Sequence, residues 1–196
     1  AASQAMEQLV ARAQALPGVR GASVATVNIL TGSMASFVLQ IPGYVSPNGQ
    51  RPVTYFTRIS PGYFRTMGVP VLRGRDFAMT DNRKGEHPVI VNQQFAKRFF
   101  GGDALDKVVK VGGGQEVRIV GVVGTTKYRE LREEPEPILY FPAASGKMPG
   151  EAWLQVRSTE PPAQVEAQLR ALIRSADARL PVDTLKTMEA QIDEAL

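Results

Sequence analysis

Apolar runs in this chain are short, and that limits its fold more than any other feature. Two of the longest, Gly21–Val27 and Ile119–Gly124, span seven and six residues, against the ~20 that a membrane-crossing helix needs. Eighteen glycines and fourteen prolines punctuate the sequence. Short runs rich in Val and Ile, bounded by such residues, read as strands joined by turns. The expectation is a chain that does not cross a membrane by itself, with no charged-then-apolar leader at its start. Its 196 residues suffice for one large domain or two small ones. A chain of this size buries roughly 70% of its unfolded surface, so it needs no metal or disulfide staple. An apolar share of 43% with 21% charged residues is that of an ordinary globular protein.

Cysteine is absent. That excludes disulfides, thiolate nucleophiles and thiolate metal sites, and it suits an oxidising compartment. The net charge of +4 is unevenly spread. Between Asn48 and Lys110 eleven Lys/Arg stand against five Asp/Glu, whereas Glu151–Leu196 has five against eight. The basic middle could steer an acidic partner or anionic lipid; the plainer reading is a solvated face. A nucleic-acid surface would need a denser basic stripe interleaved with aromatics, which the sequence lacks.

Met6, Leu9, Val10 and Ala13 recur at helical spacing, and Leu16-Pro17-Gly18 stops that helix. A strand over Gly21–Leu30 is expected to turn at Thr31-Gly32 and pair with Met34–Gln40 as a hairpin. Further strands are expected at Val53–Ile59, Val69–Leu72, Pro88–Val91, Ile138–Phe141 and Ala152–Arg157. Ser60 reads as an N-cap with Pro61 at the first helical position, and Asn92 as the cap of a helix burying Phe95, Ala96, Phe99 and Phe100. Lys107–Val111 and Glu116–Val123 form a hairpin around Gly112-Gly113-Gly114. A helix over Pro162–Ala178 presents Val165, Leu169, Leu172, Ile173 and Ala176, whose burial is worth roughly 8–12 kcal/mol before entropy. A strand Val182–Leu185 follows Leu180-Pro181, echoing the helix, Leu16-Pro17, strand order of the N-terminus. The fold class expected is α+β, a mixed α/β chain. Segments 1–58 and 150–196 form one discontinuous subdomain, and 59–149 is an inserted, β-rich lobe.

The search for chemistry nominates little. His87 is the single histidine, and no Gly-x-Ser-x-Gly elbow accompanies it. Asp76/Asp81, Asp103/Asp106 and Glu133/Glu134 could act as acid–base or cation-binding pairs, but each lies near Lys or Arg and none sits in a ligand loop. The triple glycine leads into a strand rather than a helix, so it supplies a hairpin turn and not a phosphate loop. Tyr128, Arg129, Leu131 and Arg132 mix aromatic and basic character as interfaces do. A loop packed on its own lobe explains them as well. No catalytic residue, metal ligand or cofactor site is nominated; Tyr128, Arg129 and Arg132 are the candidate partner contacts.

Four stretches occur in order: Ile59-Ser60-Pro61-Gly62-Tyr63-Phe64-Arg65-Thr66-Met67-Gly68, Leu72-Arg73-Gly74-Arg75-Asp76-Phe77, Val89-Ile90-Val91-Asn92-Gln93-Gln94-Phe95-Ala96 and Ile119-Val120-Gly121-Val122-Val123-Gly124 with Lys127-Tyr128. Together they resemble the MacB-like periplasmic core domain of FtsX-type ABC transporter permeases, over roughly Leu9 to Leu196. The resemblance implies a porter-like α/β subdomain made by both chain ends and an inserted Sabre-like lobe. It places the domain between two membrane helices on the periplasmic face, anchored to the inner membrane in the full-length protein. It implies mechanotransmission: a cytoplasmic nucleotide-binding domain moves the helices, and they move this domain against a partner or substrate. The full-length protein would be a homodimer, without cofactor and without catalysis in this domain. Ala104-Leu105-Asp106-Lys107 departs from the family pattern, in which Pro, an aliphatic residue, Gly and Lys tend to stand; Asp tolerates left-handed backbone, so the turn is expected to survive. No adaptor-binding signature is visible, which leaves both an adaptor-dependent transporter and an orphan permease open. Two other classes stay in view: a free-standing protein that binds a small ligand or lipid in a cleft between lobes, and a hydrolase built on His87 or paired carboxylates.

Overall fold

The computed structural model describes residues 2–30, 34–47, 49–81, 87–128, 134–143, 151–176 and 184–196. Helix α1 (Ala2–Gln14) leads into β1 (Val19–Ala25), β2 (Ser36–Gln40) and β3 (Val53–Ile59). The short α2 (Tyr63–Met67) precedes β4 (Val71–Gly74), β5 (Pro88–Asn92) and α3 (Gln93–Phe100). Then come β6 (Val108–Val111), β7 (Gln115–Val123), β8 (Ile138–Pro142), β9 (Trp153–Ser158), α4 (Pro162–Ala176) and α5 (Met188–Glu194).

Six strands close on themselves. Their hydrogen-bonded order is β2-β6-β7-β5-β8-β3, and β2 pairs again with β3. Pairings β3–β8 and β5–β7 are parallel, the others antiparallel. Closure leaves these strands no free edges. Residues from all six meet in one cluster: Leu39, Val109, Val117, Ile119, Val89, Val91, Leu139 and Phe141 with Phe56 against them. That shared cluster is the barrel interior. Helix α3 adds Phe95, Ala96 and Phe99 to it, and Asn92 starts that helix by accepting from the Phe95 N–H at 2.9 Å. The opposite face of β5 and β8 carries Ile90, Ile138 and Tyr140, which α2 covers with Tyr63 and Phe64. Strand β4 extends the sheet by pairing with the far end of β7.

The two chain ends make a separate layer. Strand β9 pairs with β1 along its length. On one face α1 and α4 bury Leu9, Val10, Ala13, Leu169 and Leu172 against Ala22 and Val24. This layer meets the barrel through one β1–β3 register pair, Ala25↔Ile59. Flanking bonds join the Thr26 N–H to the Arg58 carbonyl and the Ser60 N–H to the Val24 carbonyl, both at 2.9 Å.

Several local expectations are corrected. β2 does not pair with β1 as a hairpin arm; it joins β3 and β6, because β1 is occupied by β9 and Ile59. Thr31-Gly32 lies outside the described residues. Ser60 does not cap α2. Gly62 holds that position at φ 81, while the Ser60 hydroxyl accepts from the Val24 N–H at 2.9 Å and so fastens the junction. Ala176 is exposed and leaves the α4 stripe at four residues. Residues 184–187 are not strand, the rest of the expected Val182–Leu185 strand lies outside the described residues, and α5 was not foreseen. Asp106 takes φ 62, the left-handed turn expected of it. Strands β2 and β3, which lie within 1–58 except for Ile59, bond to β6 and β8 of the 59–149 segment.

Candidate functional site

Three of the four sequence motifs meet around α2 and the β4–β7 pair, while the motif over 89–96 runs through β5 into α3 and the barrel interior. After Gly74 the chain loops past α2, where Asp76 accepts from the Gly62 N–H at 3.2 Å and from its neighbour Phe77 N–H at 2.7 Å. Burial raises the Asp76 carboxyl, and those two N–H groups with the charges of Arg65 and Arg75 oppose the rise. Arg75 grips Asp81 with both guanidinium nitrogens, at 2.7 and 2.9 Å, and Asp81 also accepts from the Ala78 N–H at 2.7 Å. On the far side of α2, Arg157 of β9 donates through Nε to the Thr66 carbonyl at 2.7 Å. The motif residues therefore fasten a loop, a short helix and the chain-end layer to one another.

Asp81 is buried while Arg75 remains 49% exposed. Burial pushes the Asp81 carboxyl up, but the Arg75 bonds and the Ala78 N–H outweigh it, and the group sits below the ordinary carboxylate range. A depressed folded value stabilises the fold above the unfolded value of about 3.9, and that stability drains as pH falls through the folded value. Solvent screening at Arg75 keeps the gain modest. Asp81→Asn is expected to cost about 1 kcal/mol at pH 7, with the gap to the parent chain narrowing below pH 4. Urea midpoints at pH 7 and pH 3 check this; an equal gap at both values contradicts the ion-pair account.

Tyr128 is 2% exposed, and its hydroxyl lies 2.9 Å from that of Tyr63. Burial pushes the Tyr63 phenol up to about 12, with the Tyr128 bond pulling the other way. The ring of Tyr128 thus belongs to the core. Arg129, Leu131 and Arg132 lie outside the described residues, as does Glu133. His87 is exposed beside β5. Asp103 pairs with Arg73 at 2.9 Å rather than with Asp106. Among the described residues no group of His, Asp or Glu is arranged to hold a metal ion. An open cleft of about 620 Å³ runs between the loop after β2, the strand β3 and helix α3, lined by Tyr44, Pro47, Arg51, Tyr55, Arg98 and Glu136. It lies away from the junction of the two layers.

One arrangement escaped the sequence reading. Phe37 and Phe56 stack with ring centres 3.9 Å apart, and Phe141 stands edge-on to both at 5.9 Å. The Arg58 guanidinium lies over Phe56 at 5.8 Å and over Phe141 at 5.7 Å. The available signal was the Phe56-x-Arg58 alternation, which puts both side chains on one face of β3. The rings come from strands remote in sequence, so nothing local announced the cluster.

What these residues define is an α+β domain whose recurring motifs build turns and junctions. The sequence profile of the MacB-like periplasmic core domain matches residues 2–172. The chain belongs to that family: it is a periplasmic domain of an ABC-type permease of the MacB and FtsX kind, and the family is not itself catalytic. Similar folds are the periplasmic region of MacB from Actinobacillus actinomycetemcomitans (TM-score 0.62, 16% identity, 87% of this chain and 73% of that one) and the extracellular domain of the noncanonic ABC-type transporter YknZ from Gram-positive bacteria (0.58, 19%, 88% and 84%). A domain of a putative permease protein from Porphyromonas gingivalis also matches (0.53, 15%, 95% and 87%). No curated protein sequence matches the chain. Among the described residues no helix is long and apolar enough to cross a membrane.

Proposed function

We propose that this domain relays movement between the membrane helices of its parent permease and a periplasmic partner or substrate, making and breaking no covalent bonds itself. The observation that carries the reading is where the two chain ends go. Helices α1 and α4 lie on the same face of the β1–β9 pair and share one core, and Arg12 of α1 donates to the Ser175 hydroxyl of α4 at 2.6 Å. Motion delivered at either end of such a layer reaches the barrel through the Ala25↔Ile59 pair with its flanking bonds and through α2, which Arg157 of β9 holds at the Thr66 carbonyl. We read the layer of α1, β1, β9 and α4 as the porter-like unit and the barrel with α2 and α3 as the Sabre-like unit. This draws the boundary by hydrogen bonding, near Ala25 and Ile59, instead of by segment 59–149. A junction made by one strand pair and the short helix α2, which Arg157 ties to the chain-end layer, is where relative motion between the two units would concentrate. The nucleotide-binding domain, a second protomer and, in an adaptor-dependent system, a periplasmic adaptor are the partners this function calls for.

The domain brings no cysteine of its own to compete with an introduced pair. Thr26 and Thr57 face each other across the junction with hydroxyls 3.4 Å apart, so Thr26→Cys/Thr57→Cys offers a clamp. Val38→Cys/Val53→Cys, a cross-strand pair on the exposed surface of the barrel, offers a control. In the full-length permease, oxidising the first pair is expected to cut ATP-driven transport at least about tenfold, with recovery on reduction, while the second pair has no effect. Undiminished transport with the junction locked would overturn the proposal.

A further inference from the structure

We propose that Arg58 and the aromatic triad beneath it form a receptor for a carboxylate side chain of a partner polypeptide, inserted where Arg58 lies over Phe56 of β3 and Phe141 of β8. Strand β3 is hydrogen-bonded on both sides, to β8 and to the β1 junction, so the partial exposure of Arg58 belongs to its side chain. No carboxylate among the described residues pairs with it, and its Nε is shut off from solvent without a hydrogen-bond partner. The guanidinium itself lies over two ring faces, those of Phe56 and Phe141. Ring faces attract a cation but offer no lone pair to its N–H groups. A buried Nε–H without an acceptor is costly to keep, and desolvation by burial also lowers the proton affinity of the guanidinium.

The surroundings suit an acidic residue flanked by apolar ones. Phe37 and Phe56 are each partly exposed, and the glycine turn borders the Phe37 side of the triad, where a side chain added at Gly112 would touch that ring. The fork of one arginine matches the two oxygens of one carboxylate. A phosphate dianion calls for more than one cation, and among the described residues Arg58 is the cation placed over this triad. The excess of basic residues in the surrounding segment favours approach of an acidic partner. This inference takes from the lever reading only that a partner exists. Its test needs no membrane, so the two can fail separately.

The test follows the side-chain Nε–Hε resonances of the arginines by NMR, using this chain as it stands. Titration with acetyl-Leu-Glu-Leu-amide is expected to move the Arg58 signal saturably, with half-saturation on the order of 1 mM, as one contact point gives. The exposed Arg20 and Arg51 serve as references. Arg58→Lys, which keeps charge but loses the fork, is expected to weaken binding about tenfold, read from backbone amides of β3, and Arg58→Gln to abolish it. An Arg58 signal that moves no more than those of Arg20 and Arg51 would sink the proposal. So would unchanged affinity in Arg58→Lys, or a response to phenyl phosphate with none to the peptide, which would assign the site to a phosphate source instead.

Discussion

Gly121→Val is expected to unfold the domain or to leave it barely stable at room temperature. A Cβ at this position would fall on the Arg75 carbonyl oxygen and within 3.3 Å of Ile90 Cγ1. The obstacle is backbone, and it cannot swing aside as the end of a long side chain does. Gly121 also stands opposite Gly74 in the β4–β7 register. At Gly74 the φ of 72 and the Val120 carbonyl exclude a side chain as well, with Leu105 Cδ1 at 2.6 Å from any Cβ. Two glycines let β4 lie close enough to β7 for the Arg75 N–H to reach the Val120 carbonyl at 3.1 Å. Valine would force that contact apart and displace Ile90 from the core, a loss of about 4 kcal/mol or more. Whole domains hold only about 5–15 kcal/mol. Gly121→Ala should lose about half as much, and Gly43→Ala, with open space around its Cβ, only about 1 kcal/mol from its positive φ. Thermal unfolding followed by circular dichroism orders the three. Gly121→Val melting with the parent chain would mean that β4 does not pack on β7 as described.

Much of the architecture was legible where local rules agree. Val53–Ile59 is rich in β-branched and aromatic residues, Pro88–Val91 is continuously apolar, and Gly112–Gly114 sits between two Val-rich runs, so strand, buried strand and hairpin could be read one at a time. Partner choice could not. The Gly21–Leu30 and Met34–Gln40 stretches look like hairpin arms, yet β1 finds a better partner in β9, more than a hundred residues away. Ser60-Pro61 carries the pattern of a helix start, but Ser60 serves a strand on the neighbouring unit because closing the junction left the Val24 N–H without a ladder partner. Tyr128 could be read from its neighbours either as a partner contact or as part of a loop packed on its own lobe, and its hydroxyl lies beside that of Tyr63 inside the core. Family membership was readable because the motifs encode turns and close approaches, which need particular residues. The Arg58 cluster was not, because its rings belong to three strands that only barrel closure brings together.

Asn92→Ala should approach the glycine variants in effect, for a different reason. Asn92 is fully buried at 0% exposure, and its amide ends three chain segments. Oδ1 accepts from the Phe95 N–H at 2.9 Å, starting α3, and from the Ile138 N–H at 3.1 Å, starting β8, while Nδ2 donates to the Glu136 carbonyl at 2.7 Å. The sequence disclosed the first bond; the other two depend on β8 arriving beside β5. Alanine strands two buried donors and a half-buried acceptor, each worth about 1–3 kcal/mol, and partial relaxation brings the expected total to about 3–5 kcal/mol. Asn92→Asp separates the roles. It keeps the acceptor but turns a second oxygen toward the Glu136 carbonyl, so at pH 7 it should cost about 2–3 kcal/mol. Burial and that carbonyl would hold the new carboxyl above its ordinary value, and a protonated carboxyl donates as the amide did. A raised folded value makes the penalty shrink as pH falls through it, so Asn92→Asp should recover toward the parent chain at pH 4.5 while Asn92→Ala does not. Urea midpoints for both variants at the two pH values decide it. If both track the parent at pH 7, water meets those donors, and the β5–β8 register is held by the apolar core alone.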